Sequence, residues 1–316
     1  MGNPVTLFQA YRLLWNVELV VADPGGETTV PGEADQELLW RDVLDKAAWY
    51  INGVIAQRAH ACLAEGERLR VAVTWGREMH ELIEAMAQVP RRLARLDETH
   101  TGLARPLADE HFLVPRNVLA VPTVGIFGTT DPRNEANHNA QLLASLWHGE
   151  AALLPRYAFC DERYREAGQQ ALDTGIAADW NRLDLGIFTC DELRKQMNGN
   201  GPPPLPGMLY RQMEQDTVGE IGGMYVSHSG AEAKLKHYAR IGMTHEHFRQ
   251  LARRSGSMLI AGMQSRRLAP ALAALRGGLV STLVTDLNFA WQLLRTHAEQ
   301  QEVQTWTPAS RTRVHV

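Results

Sequence analysis

Short aliphatic runs alternate with longer stretches whose apolar residues recur every three or four positions, almost from one end of the chain to the other. Two-residue periodicity marks strands and the longer spacing marks amphipathic helices, so this alternation predicts a parallel sheet covered by helices. VELVVA (17–22) reads as a strand, Asp35 to Ala64 as one or two helices, RLRVAVTW (68–75) as the next strand and REMHELIEAM as the helix after it. Further on, strands are predicted at 117–127, 184–188 and 257–262, with a helix over 139–148. The last unit is the clearest: a helix over 271–278 closed by Gly277 and Gly278, the strand LVSTLVT, then a helix N-capped by Asp286. GMTHEHFRQLARR predicts a helix capped by Thr244, on which His245 and His247 diverge by about 200°, which argues against a metal site there.

The Pro/Gly-rich stretch NGNGPPPLPG (198–207) predicts a surface loop rather than a domain boundary, because the same alternation resumes beyond it. The polar, aperiodic end predicts one α/β domain over residues 1–302 and a flexible tail over 303–316.

Composition narrows the function classes. The chain has 316 residues, 45% of them hydrophobic, enough for a large buried core. Its formal net charge of −4 supplies no global positive field for phosphate backbones or anionic lipid. The apolar runs fall short of the roughly 18–20 residues of a membrane-spanning helix, and the start lacks a signal-peptide pattern, so a cytoplasmic protein is expected. Cys62, Cys160 and Cys190 are odd in number and lie outside any CxxC arrangement, which favours reduced thiols over disulfides or zinc. GxSxG, P-loop, GxGxxG and HExxH patterns are missing, so no cofactor and no metal is expected.

Residue-level resemblance appears in the last hundred residues. TVGEIGGMYVSHSG (217–230), ARIGMTHEHFRQLARRSGSMLIAG and RRLAPALAALRGGLVSTLVTDLNFAWQLL resemble the C-terminal half of the effector-binding domain of SorC/DeoR-type bacterial transcription regulators. VAVTWGREM, TVGIFGTTDPRNEANHNAQLLASLWHGEAALLPRYAF and LDLGIFTCDEL resemble upstream motifs of the same domain, in the same order, so the likeness is collinear from about Leu13 to Leu294. The resemblance implies a doubly wound α/β/α sandwich similar to ribose-5-phosphate isomerase and glucosamine-6-phosphate deaminase. It also implies a sugar or sugar-phosphate ligand and assembly into dimers or tetramers. General topology agrees on the place, since open parallel sheets bind ligands beyond the carboxyl ends of their strands.

Two departures accompany the resemblance. Such regulators carry a helix-turn-helix before the effector domain, whereas this sequence opens where that domain opens, with few basic residues among its first fifty; direct nucleic-acid binding is therefore not expected. Glycine pairs that cradle phosphate in the family are also broken. Ile126 follows Gly125, Phe188 closes the run after Gly186 and Ile187, and Met263 follows Gly262, while Arg267, with Arg266 beside it, stands where the family places a lysine.

Candidate residues follow from these positions. Arg266 and Arg267, opening a helix after a strand, suit an oxyanion held by guanidinium and helix N-terminus, or are a solvated pair. Gly125, Gly128, Thr129, Thr130, Asn134, Asn137 and His138 form a polar loop and helix start suited to sugar hydroxyls, or a loop that satisfies its own backbone. Trp75, Gly76 and Arg77 form another strand-to-helix turn, where Trp75 either stacks on a sugar or plugs the core. Asp286 is first an N-cap and second an acceptor for a ligand hydroxyl. Glu220 is either a general base or a buried carboxylate hydrogen-bonded to a nearby loop.

The resulting expectation is a sugar-sensing domain without its own DNA-binding part. The alternative is an enzyme of the same fold, an isomerase or deaminase using acid–base chemistry through Glu220 and Asp286.

Overall fold

The computed structural model describes residues 6–22, 33–99, 117–161, 163, 175–192, 215–235, 237–262 and 265–305. The Pro/Gly-rich stretch and residues 306–316 lie outside them. In chain order the elements are α1 (Leu7–Trp15), β1 (Glu18–Ala22), α2 (Glu33–Ala64), β2 (Leu69–Val73), α3 (Arg77–Thr99), β3 (Val118–Pro122), a 3-10 turn (Pro132–Asn134), α4 (Ala136–Leu146) and β4 (Glu150–Ala151). They continue with β5 (Phe159–Asp161), α5 (Ile176–Asn181), β6 (Leu185–Glu192), β7 (Thr217–Ile221), β8 (Met224–Ser227), β9 (Tyr238–Arg240), α6 (His245–Arg253), β10 (Ser257–Ile260), α7 (Ser265–Arg276), β11 (Thr282–Asp286) and α8 (Leu287–Thr305).

Seven strands form one parallel sheet in the order β1-β11-β10-β6-β2-β3-β4. Alternate side chains enter opposite cores, as the two-residue period of a strand requires. Val71 and Val73 pack with α2, α3 and α4 on one face, while Ala72 packs with α1, α5, α6, α7 and α8 on the other. The predicted α/β/α sandwich is therefore the observed one. Among the described residues no helix is long and apolar enough to cross a membrane.

From β2 the chain adds β3 and β4 on one side, then crosses back to place β6 on the other. The gap between β2 and β6 at their carboxyl ends is the topological switch point, where such sheets bind ligands. β6 outruns its parallel partners by several residues, and its end pairs antiparallel with β7, setting Asp191 opposite Glu220. β7 returns into β8 through Gly222 and Gly223, both at positive φ (57° and 85°), the conformation a two-residue hairpin turn demands.

Strands and helices predicted from periodicity are present, with shifted ends. The 35–64 region is a single helix, and α3 runs well past the predicted REMHELIEAM. The strand over 117–127 stops at Pro122 and continues only as isolated bridges at Val124 and Ile126. Thr244 precedes α6 as expected, its backbone N–H donating to His247 Nδ1 at 2.9 Å. α8 runs to Thr305, three residues into the predicted tail. α1 was not anticipated; Thr6 and Gln9 form a reciprocal capping box at its start.

Candidate functional site

Four elements bring titratable side chains to the switch point, and the end of a fifth brings an indole. Trp75 follows β2, Glu78 lies in the first turn of α3, Cys190 and Asp191 end β6, Glu220 sits on β7, and Arg267 lies in the first turn of α7. Arg267 is fully buried, yet it reaches across to Glu78, with which it forms an ion pair. Its guanidinium carbon lies 3.7 Å from the centre of the Trp40 ring, and the Cys190 thiol donates to the Arg267 carbonyl at 3.8 Å. A cation removed from water needs such partners, since its desolvation costs several kcal/mol. Two of its nitrogens, Nε and Nη1, are nonetheless buried without a hydrogen-bond partner.

Glu220 is buried and uses Oε2 twice, accepting from the Gly223 amide at 2.6 Å and from the Trp75 indole N–H at 3.2 Å. Burial pushes its pKa up to about 8, with Asp191 and Glu78 adding to the rise and the two hydrogen bonds opposing it. Glu220 is therefore a buried carboxyl group bonded to a neighbouring turn, the second of the two sequence readings, and its burial favours the protonated form. Trp75 plugs the site wall, stacking on Phe127 with ring centroids 4.2 Å apart.

Asp286 ends β11 and accepts from the Phe289 amide at 2.8 Å, which is N-cap geometry for α8. Gly262 lies close to both Asp286 and Trp40: a Cβ there would stand 3.2 Å from the Trp40 ring and 3.4 Å from Asp286 Oδ2. Arg266 lies in the same first turn of α7 as Arg267, with its side chain outside the described residues.

The loop after β3 is occupied by its own groups. Phe127 and Thr129 donate their amides to Glu135 Oε2 and Oε1 at 3.0 and 2.8 Å, and Thr129 Oγ1 donates to the Asp131 carbonyl at 2.7 Å. Asn137 exchanges two hydrogen bonds with the Leu154 backbone, Asn134 accepts from the Gly76 amide through its carbonyl, and His138 stacks on His80. Thr130 is exposed. A Cβ at Gly125 would collide with the Arg156 carbonyl, so close packing of two backbone segments requires that glycine. Gly76 and Gly128 take positive φ, 102° and 75°. Arg77 is exposed and pairs with Glu81 at 3.0 Å.

Gly186 lies elsewhere. It is the second residue of β6, flanked by Ala72 and Ser257 in the body of the sheet, and a Cβ on it would strike the Phe188 ring. Among the described residues no group of three or more His, Cys, Asp or Glu is gathered as metal ligands would be. Cys190 is buried, which holds its thiol well above the ordinary range, while Cys62 and Cys160 are half-buried; none of the three is in a disulfide.

Four contributors went unmarked in the sequence: Trp40, Glu78, Glu135 and Asp191. Glu78 and Arg267 are 189 positions apart, so no local period couples them. Asp191 and Glu220 face each other only because β7 turns back on β6. The Gly222–Gly223 pair between two β-rich runs was the available signal for that hairpin.

No family model matches the chain, and no curated protein matches it. Solved structures do. A transcriptional regulator from Streptococcus pneumoniae TIGR4 superposes with a TM-score of 0.65 at 16% identity, over 92% of this chain and 97% of that one. The full-length sorbitol operon regulator SorC from Klebsiella pneumoniae gives 0.63 at 18% identity, over 93% of this chain and 82% of that one. A structure described as a sugar-binding domain of a transcriptional repressor from Vibrio fischeri gives 0.60 at 17% identity, over 93% and 100%. The chain therefore has the fold of SorC/DeoR-type regulator domains, along nearly its whole described length.

Proposed function

We propose that this chain is a small-molecule-binding domain of the SorC/DeoR effector type, taking a sugar or a related polar metabolite at the switch point. The observation that carries this reading is the superposition on regulator sugar-binding domains over 93% of the chain, with one of them covered end to end. Convergence of Trp75, Glu78, Asp191, Glu220 and Arg267 on the position where open sheets hold ligands supports it. A second reading, acid–base catalysis, draws on the burial that holds the Glu220 proton up to about pH 8.

One experiment separates them. Thermal unfolding against sugars, polyols, sugar phosphates and small carboxylates, followed by mass analysis of every hit, is expected to give a ligand that stabilises the protein and is recovered unchanged. A native-state ligand at about a hundred times its Kd adds roughly 2.7 kcal/mol, a shift of a few degrees. Consumption of the hit would replace the binding reading by the catalytic one, and no hit at all would remove the first.

Assembly into two or four copies belongs to the same proposal. Phe8, Leu13 and Leu14 of α1 are exposed apolar side chains, and a second copy is the expected cover. Sedimentation velocity is expected to show a dimer or tetramer at micromolar concentration; a monomer would remove this part.

A further inference from the structure

The two histidines at the start of α6 point to different partners. His245 turns its ring to the Gly230 carbonyl, 3.0 Å away, while the half-buried His247 folds back over the first turn of the helix. The Thr244 amide donates to His247 Nδ1 at 2.9 Å, and Thr244 Oγ1 stands 3.0 Å from the same atom. An amide N–H can only donate, so Nδ1 must offer a lone pair and the ring proton belongs on Nε2. Nε2 in turn faces Asn181 Oδ1 on α5 at 3.3 Å, with the Trp180 ring 6.0 Å away, centre to centre. One neutral imidazole therefore caps α6 and joins it to α5.

What it holds reaches the candidate site. The segment between β9 and α6 runs along the end of β3, where the Met243 amide donates to the Thr123 carbonyl at 2.8 Å and the Gly125 amide to the Ile241 carbonyl at 3.0 Å. From α5, the Trp180 indole donates to the Pro122 carbonyl at 2.9 Å. Residues 122–125 are thus gripped from two sides, and His247 ties the two grips together. Two residues further on, Phe127 stacks on Trp75 at the switch point.

We propose that His247 is an acid-sensitive latch: neutral, it closes the α6 cap and fastens residues 241–244 against the end of β3, and protonated, it releases both. A proton on Nδ1 sets one N–H against the Thr244 N–H and leaves that amide without its acceptor. Arg240 on β9 opposes the cation, its guanidinium bonded to Glu232 at 3.1 Å and to the Met243 carbonyl. Glu246 on α6 favours the cation, but it is exposed and engaged by Arg253 at 3.0 Å. From α5 the ring meets the neutral Trp180 and Asn181, while Asp179 and the following Arg182 pair with Arg70 and Glu67. Burial first, and Arg240 second, hold the His247 pKa below its ordinary 6.5. The folded state then binds fewer protons than the unfolded one, so the stability that His247 adds is complete above pH 6.5 and is lost as pH falls through the lower folded value.

Two substitutions bracket the latch. His247→Gln keeps an acceptor for the Thr244 amide and cannot be charged, glutamine being a usual partner at this cap position. His247→Ala removes the acceptor at every pH. Hydrogen exchange over residues 123–126 and 241–247, corrected for intrinsic rates, is expected to show wild-type opening rise about fivefold between about pH 7.5 and about pH 5, the scale of one lost N-cap. The glutamine variant is expected to stay protected at both ends of that range and the alanine variant to be open at both. Urea denaturation is expected to agree, the wild type losing stability relative to the glutamine variant on acidification, a difference in which the other titrating groups cancel. Nitrogen-15 NMR of His247 in the wild type checks the premise without any substitution, with the proton expected on Nε2 at neutral pH. A proton on Nδ1 at neutral pH overturns the proposal. So does wild-type exchange that follows the glutamine variant across the range, or an alanine variant as protected as the wild type at about pH 7.5.

Discussion

Glu220→Gln is expected to leave stability nearly unchanged at about pH 5 and to raise it by on the order of a few kcal/mol at about pH 9. The folded protein holds the Glu220 proton up to about pH 8, against 4.5 for an ordinary glutamate. Between those values the folded state binds more protons than the unfolded one, so unfolding releases a proton and wild-type stability falls as pH rises through the window. Below the window both states are protonated, and the contribution is fully present. Glutamine resembles the neutral acid, keeps one oxygen for the Gly223 and Trp75 donors, and cannot ionise beside Asp191 and Glu78. Urea denaturation of both proteins across that range checks this. Parallel profiles would show that Glu220 is not the group whose ionisation is suppressed. The same variant bears on catalysis, because an enzyme using Glu220 as its base would lose turnover while gaining alkaline stability.

The fold was far more legible than the site, for a physical reason. Strand and helix periods are local properties of ten or twenty residues, so β2, β10, α7, β11 and α8 could be read from their own segments, and their alternation specified the sandwich. The site is assembled from single residues at the ends of distant strands. Asp286 could be read because an N-cap is a local motif; the partner of Arg267 could not, because Glu78 belongs to a helix 189 positions away. Glu135 shows the limit most plainly. Directly before α4 it occupies a cap position for which glutamate is a poor choice, and it makes no side-chain cap hydrogen bond. Its carboxylate points back into the β3 loop instead, an arrangement the loop's glycine and threonine content suggested for a ligand. The glycines carry a second, non-local reason: at Gly125 and Gly186 a Cβ would collide with the Arg156 carbonyl and the Phe188 ring.

Arg267→Ala is expected to cost about 3–5 kcal/mol of stability, the scale of breaking a buried ion pair by removing one partner. Arg267 is fully buried, pairs with Glu78 and lies over the Trp40 ring. Truncation leaves a cavity beneath Trp40 and removes the cation nearest to Glu78, in a neighbourhood that also holds Asp191 and Glu220. The loss should therefore be larger than packing alone explains, and Glu78→Gln should recover part of it. Arg267→Met combined with Glu78→Leu goes further, exchanging the ion pair for apolar contact of similar volume, and is expected to restore most of the stability. That double variant would keep the fold but present neither guanidinium N–H to a ligand, so it separates structural from binding contributions: stability returns while sugar or polyol affinity stays lost. An Arg267→Ala cost below about 1 kcal/mol would mean that the guanidinium is solvated and not part of the site's frame.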